Sequence, residues 1–192
     1  MRRVLVLLAA VGLVAVVVIG LTQAGASSGA DATDFDLPKA KSELAAAPAP
    51  LNALYAQANT LIGGGKPAFD ARLEELKGTP VVVNKWASWC GPCEAEFAIF
   101  QDGAVEHGKE VAFVGLNSGD KDPAAEKFLS TRPLPFPSYT DHDSAIAQDR
   151  EIGAGFPMTF FVDREGKTVY THTGLYTSPE QLNEDIERYL AE

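Results

Sequence analysis

Hydrophobic positions change rhythm along the chain, and each change predicts a different kind of segment. From Val4 to Leu21 no charged or polar side chain occurs. As a helix that run spans roughly 27 Å, close to the hydrocarbon thickness of a bilayer. Arg2 and Arg3 precede it and the next basic residue is Lys39, so the positive-inside bias predicts that the rest of the chain lies outside the cytoplasm. Ala24-Gly25-Ala26 offers a small-x-small cleavage pattern. The apolar run nevertheless exceeds the roughly 7 to 15 residues of a signal-peptide core, which favours a retained anchor over cleavage. No cysteine follows the run, so lipidation is not expected. Residues 22–50 are rich in Ala, Ser, Gly, Pro and Asp without a sustained apolar period, and predict a tether ending in a stiff Ala/Pro spacer.

Helical spacing then begins. Leu51, Leu54, Tyr55, Ala58, Leu61 and Ile62 share one face until Gly63-Gly64-Gly65 interrupts them, and a second helix is predicted from Pro67 to Gly78. Beyond Gly78 the period alternates in type. Strands are predicted at residues 81–83, 111–116 and 138–140, and helices at 92–107, 123–131 and 143–152. Residues 158–162 and 168–172 form a hairpin through a turn-rich link, and Ser178-Pro179-Glu180-Gln181 opens the last helix as an N-cap with a capping box. This order predicts an α/β fold: a central mixed sheet, mostly parallel, flanked by helices over residues 51–192, behind an N-terminal transmembrane or signal helix over residues 1–21.

Composition narrows the function. Of 192 residues, 46% are hydrophobic, enough for a core, and the net charge of −10 argues against nucleic acid as the main partner. The two cysteines are Cys90 and Cys93, which excludes a multi-disulfide scaffold and an all-cysteine zinc site. Pro92 presets the first helical turn after Cys90. The cysteine then lies at a helix N-terminus, where unpaired N–H groups and the positive dipole end lower a thiol pKa. Cys90 is thus the candidate nucleophile and Cys93, one turn on, the candidate resolving thiol. A purely structural disulfide closing so short a loop removes little entropy from the unfolded chain. A metal site would need His107, His142 or His172, none of which stands at ligand spacing to the pair.

The segment Val82-Val83-Asn84-Lys85-Trp86-Ala87-Ser88-Trp89-Cys90-Gly91-Pro92-Cys93 resembles the active-site segment of the thioredoxin superfamily, in its membrane-anchored TlpA/ResA-like branch. The resemblance runs from about Thr79 to the C-terminus. Gly155-Phe156-Pro157-Met158-Thr159-Phe160-Phe161-Val162-Asp163 matches the second signature, which implies a cis Pro157 against the disulfide, with Phe156 presenting its backbone to substrate. Trp89, Gly91 and Pro92 support the cysteines by the same resemblance. Asn84 stands where ordinary thioredoxins carry a proton-accepting Asp, and an amide cannot accept that proton. Glu96 lies three residues after Cys93 on the same helical face and matches a glutamate of the ResA-like branch; burial there would raise its pKa toward the acid-base range. Lys85 is unexpected in a strand covered on both faces, and is expected to pair with an acid such as Glu96 or Asp163, or to snorkel. Ala98 replaces a common Pro, and helices rather than a hairpin precede the first core strand.

These features predict an extracytoplasmic thiol-disulfide oxidoreductase acting on cysteine-containing proteins, without metal or other cofactor. The Gly-Pro between the cysteines resembles reducing thioredoxins, and relatives in this branch include reductases of apocytochrome c. In an oxidising compartment a reductase needs electrons from a membrane partner. The alternatives are a disulfide-donating oxidase, a tethered copper chaperone of the same fold, and a redox-inert interaction module. The chaperone would call for a longer cysteine spacing and a nearby histidine. The inert module leaves the position of the cysteines unexplained.

Overall fold

In the computed structural model, residues 34–190 are described. Within them run α1 (Leu37–Leu44), α2 (Leu51–Tyr55), β1 (Leu61–Ile62), α3 (Gly65–Glu75), β2 (Val81–Trp86), α4 (Gly91–His107) and β3 (Ala112–Ser118). They are followed by α5 (Asp122–Thr131), β4 (Ser138–Asp141), α6 (Ala145–Asp149), β5 (Met158–Val162), β6 (Thr168–Thr173) and α7 (Pro179–Leu190). The strands form one sheet in the order β1-β4-β3-β2-β5-β6. Pairing is parallel from β1 to β2 across the sheet and antiparallel at β2–β5 and β5–β6. β2 is buried throughout, as a strand covered on both faces must be.

Alternation along β2 directs Trp86 toward α4 and α5, where its ring meets Phe97 and Phe128. On β5, Phe160 meets Phe69 of α3 and Phe161 meets Tyr189 of α7. The apolar stripe of α3 therefore covers one face, and α4, α5 and α7 cover the other. Gly115 of β3 permits the tightest approach in the sheet. A Cβ there would lie 2.1 Å from Ser138 Oγ, which accepts the Trp86 indole N–H.

Several expectations need correction. The tether does not extend through residues 37–50: Asp36 caps α1, and Ala40, Leu44 and Ala47 are buried. Their spacing of three to four residues is a short helical stripe that the Ala/Pro-rich composition obscured. The helix expected to reach Ile62 stops at Tyr55, and Leu61–Ile62 instead pair with Ser138–Tyr139. Asn59, at φ 62°, ends the helical path, and its side chain bonds the Leu129 carbonyl and the Leu134 N–H. Tertiary partners thus override the local period. The helix expected over 143–152 shrinks to Ala145–Asp149 because Ser144 and Glu151 are left-handed. At α7, Gln181 reaches back to Thr177 N–H and Oγ1, one residue before the expected N-cap. The apolar run at 4–21 and residues 22–33 lie outside the described residues. Among the described residues no helix is long and apolar enough to cross a membrane.

Candidate active site

Cys90 is the N-cap of α4 and is joined to Cys93 by a disulfide, with Cα atoms 5.3 Å apart. The Cys93 N–H donates to Cys90 Sγ at 3.1 Å, so a backbone donor already points at the sulfur that would carry a thiolate. Cys93 is fully buried and Cys90 nearly so, while Trp89 beside them is 60% exposed. The pair therefore lies just under a rim marked by Trp89, with Cys90 keeping the little exposure there is and Cys93 none.

Three residues beyond Cys93 along α4, Glu96 has no exposed surface. Asn84 Nδ2 donates to its Oε1 at 2.7 Å and the Tyr176 N–H to its Oε2 at 3.1 Å. Burial pushes the carboxyl pKa up to about 7, and these two hydrogen bonds hold it back from rising further. Asn84 therefore has a role that its inability to accept a proton did not suggest: it orients the carboxylate. Tyr176 extends the network, since its hydroxyl donates to Asp185 Oδ2 and its ring stacks on His172.

Two loops close the rim. Phe156–Pro157 is a cis peptide bond, and the Phe156 ring meets Trp89 edge-on at 4.9 Å. On the other side, Asp120 accepts from Ser88 N–H at 2.6 Å, Ser88 Oγ, Asn117 Nδ2 and Lys121 N–H. Burial alone would raise its carboxyl pKa, but these donors hold it below the ordinary value. The Trp89 indole donates to Gly119 O. The β3–α5 turn thus fastens the Ala87–Trp89 loop that presents Cys90.

Residues 55–186 match the Redoxin family. The chain belongs to this family. It is 32% identical over 120 residues to the thiol-disulfide oxidoreductase ResA of Geobacillus kaustophilus, covering 62% of this chain and 66% of that protein. The chain thus spans slightly less than two thirds of this relative's length. Among solved structures it is similar to MTB dsbF (TM-score 0.54, 29% identity, 60% of this chain and 84% of that one) and to StoA of Bacillus subtilis (TM-score 0.51, 28% identity, 56% and 82%). Fold and motifs together make it a ResA-like member of the thioredoxin superfamily.

Lys85 pairs with neither Glu96 nor Asp163. It lies on the opposite face of β2 from Asn84, and its ammonium donates to Gly153 O at 3.0 Å and Gly155 O at 3.1 Å. Nor does it snorkel, being 1% exposed. The histidines are engaged away from the cysteines: His107 with Asn183, His142 with Asp122, His172 with Asp185. Among the described residues no cluster of three or more His, Cys, Asp or Glu side chains could hold a metal. Sequence reasoning missed Asp120, Ser88 and Tyr176. The acid directly after Gly119 at the end of a strand was a usable signal for Asp120. Tyr176 offered none, because it acts through its backbone N–H from eighty residues away.

Proposed function

We propose that this chain is a thiol-disulfide oxidoreductase that reduces disulfides of protein substrates outside the cytoplasm, held to the membrane by residues 1–21. The observation that carries the reading is the Cys90–Cys93 disulfide at the N-terminus of α4, with the buried Glu96 three residues after Cys93 on the same helix. Similarity to the thiol-disulfide oxidoreductase ResA supports it, as does similarity to MTB dsbF, whose structure holds mixed oxidized and reduced forms.

In the reduced protein, Cys90 thiolate attacks a substrate disulfide, forming a mixed disulfide and releasing one substrate thiolate. Cys93 then transfers its proton to Glu96 and attacks Cys90 Sγ. The second substrate thiolate leaves and the Cys90–Cys93 disulfide forms. Two electrons have passed to the substrate, so a dithiol on a membrane electron-transfer partner must restore the couple. Apocytochrome c is the substrate class suggested by the resemblance. Cys93→Ala keeps the attack and removes resolution; it is expected to accumulate mixed disulfides through Cys90, detectable by mass spectrometry. Trapping by Cys90→Ala instead would reverse the roles. A reduction potential near −270 mV, like thioredoxin's, supports the reductase direction, and one near −120 mV the oxidase.

A further inference from the structure

Lys85 poses an energetic question. Its register neighbours across β2 are Leu116 and Met158, both buried. An ammonium in such surroundings gives up its hydration, and burial accordingly lowers its pKa despite the attraction of Asp141. Among the described residues no carboxylate forms an ion pair with it. A buried charge is weak evidence for stability, so the ammonium is explained by what it holds.

What it holds is the backbone that leads into the cis-proline. Residues 153–157 belong to no helix or strand, and Gly153 turns there with φ 75°. Lys85 bridges two carbonyls two residues apart in this segment and places its charge 4.2 Å from the centre of the Phe156 ring. That ring in turn meets Trp89, the residue before Cys90. A continuous line of contact therefore runs from the sheet interior to the rim of the reactive sulfur.

We propose that Lys85 is a positioning residue that fixes the 153–156 backbone so that an extended, disulfide-bearing segment of a protein substrate can lie along it beside Cys90. The inference rests on the exchange reading above. It assigns the buried charge to substrate recognition and leaves electron transfer to the cysteines.

The test uses prereduced full-length protein in single turnover against two oxidants: a peptide with an internal disulfide and several flanking residues on each side, and hydroxyethyl disulfide, which is too short to follow the segment. Formation of the Cys90–Cys93 disulfide is read by alkylation and mass. For Lys85→Met, half-saturation by the peptide is expected to rise about tenfold with a maximal rate within about twofold of wild type, while the rate loss with hydroxyethyl disulfide is at least about fivefold smaller than with peptide. Hydrogen exchange at residues 153–156 should accelerate in the same variant. Lys85→Leu serves as a second apolar replacement and should behave alike. Equal losses with both oxidants, or an unchanged peptide half-saturation, would overturn the inference. So would loss of the fold in both variants, since Lys85 would then belong to the framework. Failure of the wild-type protein to react with either oxidant would instead sink the exchange reading.

Discussion

Replacing Glu96 by Gln removes one titration at the centre of the site and leaves its shape. In the folded protein the carboxyl titrates at about 7, against 4.5 for an exposed glutamate. Between these values the folded state holds a proton that the unfolded state has lost, so stability falls as pH rises through this window. A displacement of this size corresponds to about 3 kcal/mol, fully expressed above the folded value and absent below 4.5. The Glu96→Gln variant would carry no such cost. The new amide carbonyl can accept from the Tyr176 N–H, and the Asn84 amide can turn to offer Oδ1, which has no hydrogen-bond partner beside Glu96. Urea unfolding of the oxidised proteins should therefore show equal stability at pH 4, with the variant more stable by about 3 kcal/mol at pH 8. For a slope of about 2 kcal/mol/M that is a midpoint shift of roughly 1.5 M. Activity should move the opposite way: resolution of the mixed disulfide is expected to slow about 10²-fold at pH 7 and to recover toward pH 9, where the Cys93 thiol ionises unaided. A stability difference independent of pH, or an unchanged resolution profile, would refute the assignment of Glu96 as a buried proton acceptor.

Asp120→Ala should loosen the Cys90 loop by stripping four hydrogen bonds, two of them from Ser88, at a cost of about 1 to 3 kcal/mol at pH 7 by denaturant unfolding. Because the folded pKa is depressed, the carboxylate's contribution is present above its ordinary value and lost as pH falls through the folded one. The gap between wild type and variant should therefore narrow in strong acid; a constant gap would assign Asp120 a packing role. Gly115→Ala places a Cβ 2.1 Å from Ser138 Oγ and 3.0 Å from Trp86 Nε1. It is expected to destabilise the sheet by about 1 to 3 kcal/mol, and thermal unfolding at the wild-type temperature would show the approach to be relaxed.

What the sequence determined by itself is local. The strand before the cysteines, the helix that Cys90 caps and Pro92 opens, and the strands expected at 158–162 and 168–172, the second of which runs one residue further, all follow from short-range period and turn chemistry. The same local logic placed Glu96 one turn from Cys93. Tertiary structure decided what those residues meet. Leu61–Ile62 follow a helical period, yet the open edge of β4 offers backbone partners that no local contact matches. Leu44 and Ala47 read as spacer until the fold buries them. Glu96 acquires its raised pKa from the burial that tertiary packing gives it, while Asn84 and Tyr176, 12 and 80 residues distant, set its orientation. Lys85 is settled by carbonyls 68 and 70 residues away. Period and capping act over a turn or two of chain, whereas desolvation and buried hydrogen bonds depend on which segments the sheet order makes neighbours.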